Sequence, residues 1–327
     1  MIKTFDIIHL RFQTPLHISR GKTGSYESSQ EMLHSDTLAA ALYVTALQLY
    51  GQTIADEFKD KIRLSSAFPF DTEGYWLPKP LSFSIAIYGA THRKELKKIK
   101  YVRQSVFEKI LKGQQPDITE LLNANNKAQV PNVWQRDVTQ RVGITYEDES
   151  TPFYLEKLYP KDGHKECGLY FLVYTEGSPF PYLQNLLHLL GDNGIGLQRT
   201  LGNGQFECDA ISQHSLDLSD GKPTAWVALS LYRPTEEDIS HDTLKIHFDK
   251  SRYELRKRGG WLSSPEEDNH LSLRKKAILM FAEGSVLAFG DANTEGVRGK
   301  CEDIKPNYDG FKHPVWRDGR AIFLPMI

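Results

Sequence analysis

Sixteen residues, Gly191 to Phe206 (GDNGIGLQRTLGNGQF), carry five glycines and one arginine, the clearest potential for chemistry in this chain. Glycine serves where the backbone takes positive φ or where another group must come very close to it. Open amide groups beside an arginine form a concave anion receptor. Gly194, Gly196, Gly202 and Gly204 are therefore expected to shape a phosphate cradle. Arg199 and Gln198 would reach a phosphate or base edge, and Thr200 and Asn203 complete the loop. A dinucleotide fingerprint needs G-x-G-x-x-G leaving a strand for a helix, but Arg199 stands at the third glycine position and a leucine-rich helical segment comes first. A P-loop needs Lys-Ser or Lys-Thr after its glycines, and neither follows, so no nucleotide cofactor is expected. The competing reading is a flexible helix-to-strand connection.

Other reactive types are scattered. His17 and His34 flank the first loop and have the chemistry of a general base and acid for metal-free RNA cleavage; hydrogen bonding within the loop is the competing reading. Asp36 is a carboxylate for an RNA 2′-hydroxyl or, at the start of an apolar helix, an N-cap. His241-Asp242 lacks the further ligands of a metal site. No H-E-x-x-H, G-x-S-x-G or C-x-x-C motif occurs, and Cys167, Cys208 and Cys301 lie too far apart for a zinc knuckle or a disulfide framework.

The elements that must position these residues are legible from periodicity. In TFDIIHLRFQ (4–13), Ile8, Leu10 and Phe12 share one face and His9, Arg11 and Gln13 the other, as in a half-buried strand. A polar loop to residue 34 carries Arg20, Lys22 and Tyr26. Ser35 or Asp36 then caps a helix closed by Gly51, with Leu38, Leu42 and Leu49 on its stripe. GLYFLVYT (168–175) is apolar on both faces, as in a central strand. PYLQNLLHLLG forms a second helix ending at Gly191, and after the glycine loop GQFECDAIS returns as a strand. This α+β order is ferredoxin-like and is shared with RNA-recognition folds. HSLDLSDGKP (214–223) reads as a linker, which divides the chain into residues 1–220 and 221–327. In the second part Asp318-Gly319 signals a hairpin.

At 327 residues and net charge −2, the chain is not a globally basic nucleic-acid binder, so any polyanion site is local. The sharpest asymmetry is Thr91–Gly113, with eight Lys or Arg against two Glu. It reads as a solvated helix face or as a polyanion contact. A polar stretch follows, and residues 90–152 are expected to project from the first domain as an insertion. No long apolar segment marks export or a membrane span, and the cysteine usage fits a reducing cytoplasm.

The loop GIGLQRTLGNGQF resembles the glycine-rich signature of the RAMP superfamily of CRISPR effector proteins. PLHIS (15–19), HSDTLAAAL (34–42), YELRKRGGWL (253–262), EGSVLAF (283–289) and HPVWRDGRAIFLP (313–325) narrow the likeness to the fourth-subunit family of type III-A Csm complexes. Leu197 and Gln198 depart from the signature, which commonly has glycine and a basic residue there. The resemblance implies two ferredoxin-like domains, no enzymatic activity, and binding of the 5′ repeat-derived handle of a CRISPR RNA. It also implies partners: a large polymerase-like subunit and a backbone RAMP subunit, bridged by this chain. His17, Arg20, His34 and Ser35 would line the wall opposite the glycine loop, and a thumb within 90–152 would bring Arg136 and Arg141 to the guide. The alternatives are a metal-independent endoribonuclease that processes repeat RNA and a purely structural subunit.

Overall fold

The structure, a computed structural model, describes residues 1–19, 26–143, 151–161, 166–240, 245–262, 273–290, 297–308 and 313–327. Strand Ile2–Phe12 lies inside an eight-stranded sheet in which every pairing is antiparallel. On one side it pairs with Phe206–Cys208 and Ser212–Asp217, and on the other with Gly168–Thr175. Gly168–Thr175 continues to Ile62–Leu64 and Phe68–Asp71, and the sheet ends with Gly74–Pro78 and Tyr101–Arg103. Helices Ser35–Tyr50 and Leu183–Asn193 cover one face, where Leu38, Leu42, Leu186 and Leu190 meet Ile8, Leu10 and Phe12. The five elements expected from periodicity occur in the expected order, but helix Gln52–Lys61 and strands Ile62–Leu64, Phe68–Asp71, Gly74–Pro78 and Tyr101–Arg103 stand between the first helix and the central strand and were not expected.

The first strand is not half-buried. Phe5 and Ile7 lie on its second face in a core with Val106, Phe107, Ile110 and Leu111 of helix Gln104–Leu111. The same core takes Val227, Leu229, Ile322 and Leu324 from a second sheet. That sheet places Ala225–Ala228 between Val286–Leu287 and Ala321–Met326, with Val297–Arg298 at its far edge. Each fully buried Leu, Ile or Phe contributes roughly 1.5–3 kcal/mol, so this shared core is a major bond between the two halves. The segment 214–223 is a linker only in its second half, because Ser212–Asp217 forms the sheet's edge beside Ile2–Ile7.

Residues 90–152 do not project as one unit. The basic run is tied down: Lys98 pairs with Glu95, Arg103 with Asp71 and Glu73, Lys109 with Glu120, and Lys112 with Asp217. Its apolar residues, Leu96 to Leu111, are core. What leaves the body is a hairpin of Trp134–Gly143 and Thr151–Pro160, which runs past the expected end at residue 152. Its base is anchored by a reciprocal pair of backbone hydrogen bonds, 2.8 Å each, between Leu16 and Leu158. Asp318-Gly319 is not a hairpin turn either: Trp316–Asp318 pairs with Cys301–Asp303, while Ala321–Met326 joins the second sheet.

The two halves also meet in a buried polar seam. Asp36 does not cap its helix; His34 occupies the N-cap position but its side chain makes no capping bond, and the Asp36 carboxylate is fully buried. Arg258 donates to both of its oxygens at 2.9 Å, and Arg317 donates to Oδ2. Beside it, His34 Nδ1 and Ser66 Oγ both meet Glu283 Oε1, the histidine at 2.8 Å. Ser35 Oγ accepts the Leu231 amide at 3.0 Å. Burial pushes the Asp36 pKa up, but Arg258 and Arg317 outweigh it and hold the carboxyl well below the usual carboxylate range.

Removing one partner of a buried pair strands the remaining charge. Asp36→Asn is therefore expected to destabilise the protein by about 3–5 kcal/mol in urea denaturation at pH 7. A depressed carboxyl stabilises the fold above its unfolded pKa and loses that contribution as pH falls, so the gap between wild type and variant should narrow below about pH 5. A gap that stays constant down to pH 3 would contradict the assignment.

Candidate nucleic-acid interface at the glycine loop

Helix Leu183–Asn193 stops at Gly194 (φ 73°), and the chain then folds back on itself. The Ile195 amide donates to the Gly204 carbonyl, the Leu197 amide to that of His17, and the Gly204 amide to that of Pro15, all at 2.9 Å. A Cβ at Gly204 would lie 1.9 Å from the Ile195 carbonyl oxygen, and one at Gly196 would lie 2.6 Å from that of His17. Gly194 is similarly closed by Asn203, whereas Gly202 faces open space. Most of the glycines thus let two passes of backbone meet each other and residues 15–17. The backbone receptor expected from the glycine count is largely filled by the protein's own carbonyls.

What stays open is the tip. Gln198 takes a left-handed conformation (φ 59°, ψ 33°) and leads into the 3-10 turn Arg199–Leu201. For a residue with a side chain this costs about 1–2 kcal/mol. The Gln198 carbonyl offsets it by accepting the Leu201 amide at 3.0 Å and the Asn203 side-chain amide at 3.1 Å. Asn203 is buried, and its Oδ1 accepts Lys157 Nζ from the hairpin at 3.1 Å. Asn203 is therefore a brace behind the tip rather than a contact residue. Leu197, Arg199 and Thr200 are exposed, Leu201 is 70 % exposed, and Gln198 is half-buried. Arg199 meets no carboxylate among the described residues.

The opposite wall differs from expectation. His17 is 1 % exposed; its Nδ1–H donates to the Glu156 carbonyl at 2.6 Å, and Nε2 is buried without a partner among the described residues. His34 and Ser35 sit in the polar seam, away from any surface. These residues were expected to line a wall beside the loop, and partners distant in sequence explain their burial: Glu156 for His17, Glu283 for His34 and Leu231 for Ser35. Neither histidine presents a ring to solvent as an acid–base pair would. Arg20 and Lys22, like His241 and Asp242, lie outside the described residues.

Arg136 is engaged rather than available: it donates to both oxygens of Glu156, at 3.0 and 3.1 Å, and to Glu31. Glu156 in turn accepts the Ser29 amide at 2.5 Å, so one buried carboxylate locks the hairpin base to the first loop. Arg141 is exposed farther out on the hairpin. Burial, and then the charge of Arg141, lower the pKa of Lys157. Lys157 was overlooked because the expected insertion ended before it; the alternation in TPFYLEKLYP carries the missing signal. Among the described residues no group of three or more His, Cys, Asp or Glu is placed to hold a metal ion, and no helix is long and apolar enough to cross a membrane.

Residues 222–326 match the family model for the CRISPR Csm4 C-terminal domain. The chain is 28 % identical over 273 residues to a Csm4 protein of Thermococcus onnurineus, covering 79 % of this chain and 82 % of that one. It is 27 % identical over 303 residues to Csm4 of Mycobacterium tuberculosis, covering 92 % of each. Among solved structures, a Csm3-Csm4 subcomplex of the type III-A CRISPR-Cas interference complex has a chain that superposes with TM-score 0.62 at 17 % identity, covering 98 % of this chain and 99 % of that one. A Csm1-Csm4 cassette in complex with cA4 has one that matches with TM-score 0.59 at 20 % identity, covering 99 % and 98 %. A fold shared from end to end, relatives of one name along most of the sequence and a C-terminal segment that fits the model of that name make this chain similar to the Csm4 proteins of type III CRISPR complexes.

Proposed function

We propose that the chain is a non-catalytic CRISPR RNA-binding subunit of a type III-A interference complex. It grips the 5′ repeat-derived handle and bridges the large polymerase-like subunit to the first backbone RAMP subunit. The observation that carries the reading is the tip Gln198–Leu201, which presents Arg199 and Thr200 to solvent on a doubly braced loop. A cation on a braced loop that meets no carboxylate among the described residues is suited to a phosphate, because little backbone order is lost when the contact forms. The similar chains in complexes with Csm1 and Csm3 support the two bridging partners.

In this reading the first sheet and its two helices form a ferredoxin-like domain, supported by the position of Gly168–Thr175 between Ile2–Phe12 and Phe68–Asp71. The second ferredoxin-like domain begins near residue 221. The thumb is the hairpin of Trp134–Gly143 and Thr151–Pro160, with Arg141 facing the guide. The endoribonuclease alternative loses its acid–base pair, because His17 and His34 are both buried.

Replacing Gly204 by alanine should cost about 2–4 kcal/mol in chemical denaturation, from a clash with the Ile195 carbonyl and positive φ together. Gly202→Ala meets no atom and should cost only about 1–2 kcal/mol; equal losses would contradict the packing described for this loop. Arg199→Ala should weaken binding of labelled handle RNA by about 1–3 kcal/mol in fluorescence anisotropy, with the melting temperature unchanged. Unaltered affinity would remove Arg199 from the interface.

A further inference from the structure

The second half carries a basic surface that the glycine-loop reading does not use. Leu255–Arg258 and Ile278–Phe281 form a two-stranded ribbon. The ribbon continues outward: Trp261 bridges to Arg274, and the Lys275 amide donates to the Gly260 carbonyl at 2.9 Å. Residues 252–262 and 273–281 contain seven Lys or Arg against Glu254 alone, in a chain of net charge −2. The joining residues 263–272 include Glu266, Glu267 and Asp268, lie outside the described residues and form no part of the surface considered; the local charge stays positive when they are counted.

The cations divide by face. Arg258 points inward to Asp36, whereas Lys257, Arg274 and Lys276 are exposed and reach no carboxylate among the described residues. In the basic run of residues 91–113, by contrast, half of the cations are neutralised by ion pairs. Trp261 is 44 % exposed, with the Arg274 guanidinium 4.5 Å from its ring centroid. Cations that meet no carboxylate among the described residues, set around an exposed indole, combine phosphate attraction with a stacking platform for a base, the pairing that single-stranded nucleic-acid binders use. An acidic protein surface would satisfy the lysines and take the indole as an anchor, but the guanidinium beside the ring and two further exposed cations favour a ligand that offers phosphates and a flat base together.

We propose that this ribbon is a second contact surface for single-stranded RNA, with Lys257, Arg274 and Lys276 on phosphates and Trp261 stacking a base. The proposal rests on the RNA-binding reading and adds a second site to it. Because Arg258 fixes the ribbon's inner face to the first helix, the two sites are held in one frame and can grip separate stretches of one strand.

The test is a salt titration of labelled single-stranded RNA binding to the full chain. The triple variant Lys257→Ala, Arg274→Ala, Lys276→Ala should lower the slope of log K against log salt by about 2, at roughly 0.7 per lost phosphate contact, and lower affinity at 0.1 M salt by about tenfold or more. Trp261→Ala should lose about tenfold in affinity, with Trp261→Phe largely restoring it. Melting temperatures verify that each variant is folded. A triple variant with the wild-type slope overturns the ribbon proposal; if Arg199→Ala still weakens binding, the glycine-loop reading survives. A triple variant that keeps RNA affinity but loses a co-purifying protein subunit assigns the ribbon to protein contact, and overturns the proposal too. Wild-type protein that binds no RNA sinks both readings together.

Discussion

A carboxylate taken out of water is tolerated only where opposite charge meets it. Asp36 is fully buried in the first helix and is met by Arg258 and Arg317, from two separate segments of the second half. Next to it, His34 and Ser66 converge on Glu283. The relative position of the two sheets depends on this pairing as well as on the shared apolar core, because hydrophobic contact is non-directional while a bidentate guanidinium is not. The ion cluster sets an orientation that the core by itself would leave loose.

This explains what the sequence blocks have in common. HSDTL, YELRKRGGWL, EGSV and HPVWRDG are far apart in the chain, yet His34, Ser35, Asp36, Arg258, Glu283 and Arg317 all belong to them and all lie in the one seam. At these positions the blocks that carry the resemblance serve internal bonding in this chain. The proposed binding surface is written in fewer residues: the exposed tip of the glycine loop, supported from behind by Asn203 and Lys157.

Elements governed by local periodicity were legible. The first strand, the two long helices, the central strand Gly168–Thr175 and the glycine loop all appear where alternation and glycine spacing put them, although the caps differ: His34 rather than Ser35 or Asp36 precedes the first helix, and the second runs past Gly191 to Asn193. What was not legible is set by partners distant in sequence. Nothing near Asp36 announces an arginine 281 residues away, so a capping role was the natural local reading. The second face of the first strand looked polar because its cover comes from residues beyond 100 and beyond 220. The hairpin was cut short because residues 144–150 are polar enough to read as the end of an insertion. Glycine density pointed correctly to close approach but could not say whether ligand or backbone was the neighbour.

The seam also orders events during synthesis. Until the segment bearing Arg258 has left the ribosome, the first helix holds its carboxylate without a partner, and Arg317 completes the cluster only near the end of the chain. The N-terminal half is thus expected to lock late, because the charge at the start of its first helix is met only by residues of the second half.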